Sequence, residues 1–320
     1  MRFSILLPPS EGKQSGGNPL APDMFDYRSS NTFNYFHDLN PERRALIDAL
    51  QTQVRDGEEE ELSKLFGVKG DTLQEAVDAT GEIYRSPLLA AIDRYNPGVM
   101  YAAMDFPGLP TGAQRRLLEN GVIISGLFGL LRPDDLIPNY RLKIDASVNG
   151  IGRASTYWKP ILSPVLNELL TGQVVWNLLP GAHAAVWDDA GTYARMLTIK
   201  FYREDESGET KPVTHGVKEL RGALVHHIVI ELPETVEDLD EWEAPGGYEI
   251  DFDASELDEG GGGTVVMVSR PGWEERRAAK RKARAQAEAE AEAAKRASEE
   301  DEEEDEPTDD DDDASTEDDD

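Results

Sequence analysis

The spacing of hydrophobic residues predicts a series of helices along most of the chain. Apolar positions that recur every three or four residues place one face of a helix against a core. At 217–230 the helical spacing runs into the β-branched sequence Ile228-Val229-Ile230, for which a strand is the alternative. Helical spacing is found at 41–54, 58–66, 72–79, 87–95, 114–119, 155–170 and 217–228.

Short apolar runs that end at Gly, Pro or Asn predict buried strands between these helices. The first run, Phe3–Leu7, ends at two prolines. Because helices and strands are mixed without regular βαβ units, we predict an α+β fold: a single compact domain with a mixed sheet. The other predicted strands are 122–125, 139–145, 173–178, 193–202 with a turn at 206–208, and the pair 248–252 and 264–269.

The composition changes near Trp273. Residues 274–298 are rich in alanine and charge, with Ala-Glu alternation at 287–293, which predicts a single solvated helix. Residues 299–320 hold 17 acidic and no basic side chains. This run of like charge predicts a disordered acidic tail. We therefore divide the chain into a globular domain at 1–273, a charged helix at 274–298 and a tail at 299–320.

The globular domain is itself acidic. The whole chain carries a formal charge of −32. Residues 1–273 hold 42 acidic and 24 basic side chains, a net charge of −18. This charge argues against a broadly cationic surface, so a site for a polyanion must be a local concentration of Arg and Lys.

The chain contains no cysteine. This excludes disulfides, Fe–S clusters, cysteine-based zinc sites and thiol peroxidase chemistry. The N-terminal apolar run is too short for a signal peptide, and the longest apolar stretch, Val122–Leu131, is about half of a membrane span. We therefore expect a cytosolic protein with no membrane partner.

The sequence Pro8-Pro9-Ser10-Glu11-Gly12-Lys13 follows the first predicted strand directly. Loops in this position often carry functional groups. The motif is not a P-loop, because Leu7 replaces its first glycine and Gln14 its Ser/Thr. Lys13 could contact a phosphate through its charge and Ser10 through its hydroxyl. The alternative is a surface turn in which Pro and Gly only set the geometry.

The segment from Ser125 to Arg141 is the second candidate. Gly126 and Gly129 flank an apolar pair and permit a tight turn, whose exposed N–H groups could meet an anion. Arg132 and Arg141 add positive charge. The alternative is local pairing of Arg132 with the acidic residues that follow it.

A Pro/Gly hairpin at 106–110 precedes the predicted helix that bears Arg115 and Arg116. Helix-hairpin-helix modules present backbone amides to DNA phosphates in this way, without reading sequence. Lys218 and Arg221, three residues apart on another predicted helix, could form one wall of a basic cleft. The alternative for this pair is a solvated helix face.

The paired histidines His226 and His227 suggest a metal site together with Glu231. On a helix His227 and Glu231 would share a face, whereas on a strand they would be too far apart to bind one ion. The chain has no Glu-x-x-His pair of the diiron type. We predict no dedicated metal site and no cofactor.

Four stretches together resemble the YaaA peroxide-stress family. The resemblance covers roughly residues 1–270 and is most specific at Gly126–Arg141. The stretches are 6–13, 125–142, Tyr157-Trp158 with 174–178, and 216–222.

The resemblance implies a cytosolic protein of the oxidative-stress response that limits damage from unincorporated iron under hydrogen peroxide. It also implies a helix-hairpin-helix-like element and a basic cleft that binds DNA. A cysteine-free chain is consistent with action on iron or on DNA rather than with thiol-based removal of peroxide.

We therefore predict a non-enzymatic stress protein that prefers certain DNA structures and contacts their phosphate backbone. One alternative is an enzyme acting on a nucleotide or modified base with the Ser10–Lys13 loop. Another is weak iron binding by surface carboxylates. The acidic tail could compete with DNA as a tethered ligand or only aid solubility. The predicted phosphate-contacting or hairpin-shaping residues are Ser10, Lys13, Arg115, Gly126, Gly129, Arg132, Arg141, Lys218 and Arg221.

Overall fold

The computed structural model describes residues 2–18 and 35–304. The chain forms two units, one at 1–271 and one at 272–320. Among the described residues, no helix combines the length and apolar character needed to cross a membrane.

A nine-stranded mixed sheet runs through the first unit. The strands are β1 (Phe3–Leu7), β3 (Gly121–Ser125), β4 (Gly129–Leu131), β8 (Val174–Asn177), β9 (Arg195–Glu204), β10 (Thr210–Pro212), β11 (Tyr248–Ile250), β12 (Glu256–Leu257) and β13 (Gly263–Ser269). The main path of the sheet has the order β11-β13-β9-β8-β1-β3-β4, with β10 paired to β9 and β12 to β13. This confirms the predicted α+β class with a mixed sheet. Two small ladders lie outside it: β2 (Leu89–Ala90) with β5 (Leu136–Ile137), and β6 (Ser147–Val148) with β7 (Gly152–Arg153).

The centre of the sheet is parallel. Strand β1 pairs in parallel with β3 on one side, with Ile5 opposite Gly121, and with β8 on the other, with Ile5 opposite Trp176. Ile5, Leu6 and Leu7 are fully buried. Because both faces of a parallel strand are covered, such strands are continuous apolar runs, which is the pattern that these residues show.

Helices pack around the sheet. The helix Val217–Glu231, α9, passes so close to the helix Val99–Met104, α5, that a Cβ on Gly222 would overlap the carbonyl of Met100. The β-branched residues at 228–230 are therefore helical, since burial against neighbouring helices overrides their strand propensity. The helices are α1 (Asn40–Asp56), α2 (Glu59–Phe66), α3 (Asp71–Gly81), α4 (Ala91–Arg94), α5 (Val99–Met104), α6 (Thr111–Asn120), α7 (Ala154–Leu169), α8 (Gly181–Ala184), α9 (Val217–Glu231), α10 (Val236–Leu239) and α11 (Trp273–Glu304).

Two predictions about local structure were wrong in part. Residues 139–145 form no strand, because the Arg141 N–H donates to the Thr80 side chain and not to a neighbouring strand. At 87–95, Leu88 pairs with Asn18 in an extended bridge, and only 91–94 are helical. Helix α11 includes the first residues of the predicted acidic tail and ends at Glu304. The rest of the predicted acidic tail, 305–320, lies outside the described residues.

Candidate anion-binding site

The loops that follow β1, β3 and β8 leave the sheet at one edge, where the carboxyl ends of these parallel strands meet. Strand β3 lies on one side of β1, and β8 lies on the other. The chain therefore adds strands first on one side of β1 and later on the opposite side, so the strand order reverses at β1. In open α/β sheets, ligands bind in the crevice that such a reversal creates at the carboxyl ends. The Pro8–Lys13 loop, the Gly126 turn and α8 all begin at this edge, which we call the carboxyl edge.

Lys13 is recessed at the carboxyl edge. Its Nζ donates to the carbonyl of Ser10 at 3.0 Å and lies 4.4 Å from the centre of the Tyr140 ring. Burial lowers the pKa of Lys13 to about 8; the carboxylate of Glu11 opposes this effect, and the positive charge of Arg141 adds to it. The Lys13 side chain therefore loses its proton at a pH only slightly above neutral.

A chain of hydroxyl groups holds the Tyr140 ring in place beneath Lys13. The Ser125 Oγ accepts hydrogen bonds from the backbone N–H groups of Leu127 and Phe128, at 3.2 and 3.1 Å. With both lone pairs in use, the Ser125 hydroxyl donates to the Tyr140 hydroxyl, 2.8 Å away. The Tyr140 hydroxyl is also 2.6 Å from that of Tyr95. Burial raises the pKa of Tyr140 to about 12, so the phenol stays protonated at neutral pH.

Arg141 reaches the same place from the far end of the Gly126–Arg141 segment. Its Nε donates to the Phe66 carbonyl at 3.2 Å, and its Nη2 lies 3.7 Å from the Glu11 carboxylate. Within the described part of the chain, Nη1 has no hydrogen-bond partner. A guanidinium carries five donors in a fixed fork, so Arg141 retains donors for a ligand. Lys13 and Arg141, which the sequence places 128 residues apart, are therefore neighbours.

His183 on α8 completes the edge. Burial lowers the pKa of His183 to about 4, with the charges of Glu11 and Asp145 opposing the effect. Its Nδ1 is buried and makes no hydrogen bond with the described residues. His183 is therefore a neutral imidazole beside Glu11 at neutral pH.

Gly126 and Gly129 form the predicted tight turn, between β3 and β4, but the amides of this turn are not exposed. Both lie in a fully buried turn, and the amides of Leu127 and Phe128 between them are bound by Ser125. The turn therefore has no exposed amide to offer an anion. A Cβ on Gly126 would lie 2.8 Å from the Leu142 carbonyl oxygen. Glycine at this position lets the backbone next to Arg141 pass close to the end of β3, which positions Arg141.

Arg132 makes local contacts, as the alternative interpretation of this segment expected. Its Nη1 donates to the Gly121 carbonyl at 3.1 Å, and its guanidinium lies 5.6 Å from the centre of the Phe36 ring. Its main-chain N–H donates to Asp135 at 2.8 Å. These contacts fix the loop after β4 and give no support to a phosphate contact by Arg132.

The remaining predicted cations lie on two helices. Arg115 is exposed on α6 with its Nε 3.8 Å from Glu119, and Lys218 is exposed at the start of α9. Arg221 is half-buried, and its Nε has no partner in the described part of the chain. Burial lowers the pKa of Arg221. The structure does not bring these three residues into contact with Lys13.

Ser10 lies against the backbone of Gly98, so closely that a Cβ there would overlap its hydroxyl. Through this contact the Pro8–Lys13 loop abuts the start of α5. The segment 106–110 lies between α5 and α6, as the helix-hairpin-helix prediction requires. Its Gly108 N–H donates to the Asp105 carbonyl at 3.0 Å, and the Asp105 carboxylate lies beside Gly108. The role of this hairpin as a phosphate-binding module stays a prediction.

The two adjacent histidines of α9 make structural contacts. His226 Nδ1 is 2.9 Å from the Met104 carbonyl, and the His227 ring stacks on Trp242 at 5.7 Å. Among the residues that the structure describes, no group of three or more His, Asp or Glu side chains is placed to hold a metal ion.

Sequence reasoning missed two buried arginines that shape the site. Arg94 is fully buried and donates to the carbonyls of Gly16 at 3.0 Å and Pro87 at 2.8 Å, which anchors the loop after β1. Arg43 is also fully buried and binds the carbonyls of Phe128 and Leu130. The feature of the sequence that could have identified them is the position of each arginine on the apolar face of a predicted helix.

Comparison with known proteins identifies the family. The family model described as "Peroxide stress protein YaaA" matches residues 3–254. The chain is 29% identical over 262 residues to a UPF0246 protein of Streptomyces coelicolor, which covers 78% of this chain and 92% of the relative. It is 28% identical over 227 residues to a protein of Campylobacter jejuni described as uncharacterized, covering 70% of this chain and 83% of the relative. A UPF0246 protein of Corynebacterium glutamicum is 29% identical over 230 residues, covering 71% and 84%.

The family match spans both strands and loops of the carboxyl edge, from the Pro8–Lys13 loop to α8 and beyond. It supports a role in the peroxide stress response. Since the matched region covers more than half of the sequence, the chain belongs to the YaaA family of peroxide stress proteins.

Proposed function

We propose that this protein binds DNA during peroxide stress and that Lys13 and Arg141 at the carboxyl edge contact a phosphate of the DNA backbone. The observation that carries the proposal is the pairing of these two cations. Both lie at the carboxyl edge, where the charge of Arg141 acts on Lys13 and Glu11 is the one carboxylate of the described residues that does so, in a domain whose net charge is strongly negative.

Two cations held together in a recess repel each other. The charge of Arg141 lowers the pKa of Lys13, so the protein holds this arrangement at a cost in the absence of a ligand. An anion placed between them removes the repulsion and uses the donors that Arg141 leaves free. Charge-assisted hydrogen bonds from arginine to phosphate are among the strong ones in proteins.

The negative charge of the globular domain limits where DNA can approach. A net charge of −18 on 1–273 repels a polyanion at long range, so attraction is confined to the recess that holds Lys13 and Arg141, which we call the basic recess. Few phosphates are then contacted, and the salt dependence of binding is correspondingly moderate. We propose the exposed Arg115 and Lys218 as outer contacts.

The family's role in peroxide stress indicates what would damage the DNA. Iron and hydrogen peroxide together produce radicals that attack DNA, and we propose that the protein limits this damage at the DNA. The resemblance to the family, and not a metal site, is the support for the part that concerns iron.

The test is direct binding of the full-length protein to fluorescent single-stranded, duplex and branched DNA by anisotropy. Binding that weakens in Lys13→Gln and Arg141→Gln but not in Lys211→Gln supports the proposal. Lys211 is a matched control, since it is exposed on β10 and paired with Glu209 at 2.8 Å. Absence of binding to all DNA forms at low salt would contradict it. A parallel assay measures plasmid nicking by ferrous iron and peroxide with and without protein.

A second candidate function is an enzyme that acts on a nucleotide unit. The observation in its favour is that Lys13 and Arg141 are recessed at a reversal point of the sheet instead of lying on an open face. Such crevices commonly hold small ligands.

A further inference from the structure

Lys13 differs from other lysines of this chain in its surroundings. Its ammonium has one hydrogen-bond acceptor, the Ser10 carbonyl, and it forms no ion pair with the described residues. The nitrogen also lies 4.4 Å from the centre of the Tyr140 ring and 5.7 Å from the centre of the Tyr95 ring. By contrast, Lys64, Lys159 and Lys211 each lie within 2.8 Å of a carboxylate oxygen.

A lysine that is recessed among aromatic rings, beside other cations and without a carboxylate in contact, is suited to react as a neutral amine. Arg141 and Arg94 are the cations that act on Lys13. A neutral primary amine attacks carbonyl carbon and forms an imine. The geometry therefore suggests covalent chemistry on an aldehyde next to a phosphate-binding group.

We propose that Lys13 forms an imine with the aldehyde of an abasic deoxyribose in DNA, while Arg141 binds an adjacent phosphate. This rests on the proposed function, because DNA binding brings this aldehyde to the carboxyl edge. An abasic site, which is a product of radical attack on DNA, opens to an aldehyde at C1′ and carries phosphate on both sides. It thus presents the two groups that Lys13 and Arg141 are arranged to meet.

The reaction balances without an oxidant or a further reactant. The Lys13 nitrogen bonds to C1′, and one of its protons moves to the carbonyl oxygen, which gives a carbinolamine. Uptake of a proton and loss of water then form the protonated imine. Removal of a C2′ proton lets the C3′–O bond break, with its electron pair leaving on the 3′ phosphate. Water hydrolyses the imine and returns Lys13.

Two groups at the carboxyl edge are placed for the proton transfers. Glu11 is the carboxylate whose charge acts on both Lys13 and His183. We assign Glu11 as the base that takes the C2′ proton. His183 has a neutral ring with a buried Nδ1 that makes no hydrogen bond in the described part of the chain, and it is the second group that can exchange a proton.

The test is reductive trapping with the full-length protein. Sodium borohydride reduces an imine to a stable amine, so the protein and a labelled abasic oligonucleotide become one covalent species on a denaturing gel. We expect trapping on abasic DNA and on no intact DNA. Peptide mass spectrometry of the wild-type adduct should locate the deoxyribose on Lys13. An adduct on the N-terminal amine or on another lysine overturns the proposal without any variant.

Lys13→Arg keeps the positive charge and removes the amine. We expect trapping to fall by about 100-fold or more, as when a nucleophile is removed, while Lys211→Arg traps like wild type. Thermal unfolding checks that both variants are folded. Equal trapping by Lys13→Arg and wild type overturns the proposal.

A stable tetrahydrofuran analogue of the abasic site separates this inference from the proposed function. The analogue has no aldehyde, so it reports binding alone. Binding of the analogue without trapping of the abasic site overturns the imine proposal and leaves DNA binding intact. Loss of both contradicts DNA binding itself. Trapping of glyceraldehyde 3-phosphate but not of abasic DNA would instead assign the lysine to a small phosphorylated aldehyde and overturn the proposal.

Discussion

The ammonium nitrogen of Lys13 lies 4.4 Å from the centre of the Tyr140 ring, and the Tyr140 hydroxyl is held between Ser125 and Tyr95. This contact joins two motifs that are far apart in the sequence, the loop after β1 and the end of the Gly126–Arg141 segment. Parallel pairing of β1 with β3 brings the loop and the Gly126 turn to one edge. The two motifs therefore form one site.

The charge state of Lys13 makes DNA binding depend on pH. The pKa of Lys13 is lowered to about 8, so the ammonium is charged below that pH and loses its charge as the pH rises through it. A phosphate contact needs the charged form, and we expect affinity for DNA to fall between pH 7 and pH 9. In Lys13→Arg the same titration should be flatter, because arginine stays protonated. An equal fall in both proteins would contradict this assignment of the pH dependence.

Gly126→Ala should destabilise the protein. The new Cβ would lie 2.8 Å from the Leu142 carbonyl oxygen and 3.0 Å from the Ile144 nitrogen. Both are backbone atoms, which can move away only at a cost in free energy. We expect the free energy of unfolding in urea to fall by about 1–3 kcal/mol. The variant should also bind DNA more weakly, because Arg141 adjoins the displaced backbone.

The control for that variant is Gly112→Ala. Gly112 is exposed in the first turn of α6, and a Cβ added to it would lie 3.8 Å from the nearest atom, Nη2 of Arg116. Because alanine is the better helix former, stability should be unchanged or rise by up to about 1 kcal/mol. A loss of stability equal to that of Gly126→Ala would show that the close approach is not the cause.

Arg43→Gln should remove the buried support of the Gly126 turn. The Arg43 Nε donates to the Phe128 carbonyl at 2.9 Å and its Nη2 to the Leu130 carbonyl at 2.6 Å. Loss of charged donors from two buried carbonyls should lower the free energy of unfolding by about 2–4 kcal/mol. Arg55→Gln, on the exposed side of the same helix, should leave the urea midpoint unchanged. A stable Arg43→Gln protein would contradict this role.

Deletion of everything after Arg270 tests whether the acidic tail competes with DNA. If the tail acts as a tethered ligand for the basic recess, the shortened chain should bind DNA more tightly, and the gain should be largest at low salt. Anisotropy with the same oligonucleotides measures both effects. Equal affinities of the two proteins at every salt concentration would mean that the tail does not compete.

The sequence was sufficient for many of the regular elements and for Lys13 and Arg141 as candidate site residues. Helical spacing identified α1, α2 and α7, and the buried run Phe3–Leu7 identified the central strand, because each pattern reflects burial of one element. The role of Gly126 was not predictable, since it depends on Leu142 from a loop. Arg43 and Arg94 were missed for the same reason: their partners are backbone carbonyls far away in the sequence. Residues 139–145 have strand-like composition, but their hydrogen bonds go to other groups.

The position of Lys13 was predictable and its surroundings were not. A loop directly after a buried strand is a good candidate on position alone. That the loop meets Arg141, Tyr140 and His183 depends on the strand order, with β3 and β8 on opposite sides of β1. Sequence patterns of single elements contain no information about that order.

The central claim is that Lys13 and Arg141 contact a DNA phosphate, and the salt dependence of binding tests it most directly. Each phosphate contact contributes about 0.9 to the slope of log affinity against log salt on duplex DNA. We predict that Lys13→Gln and Arg141→Gln each reduce the affinity and the steepness of this slope, whereas Lys211→Gln leaves both unchanged. Slopes and affinities that are the same in all four proteins would contradict the account.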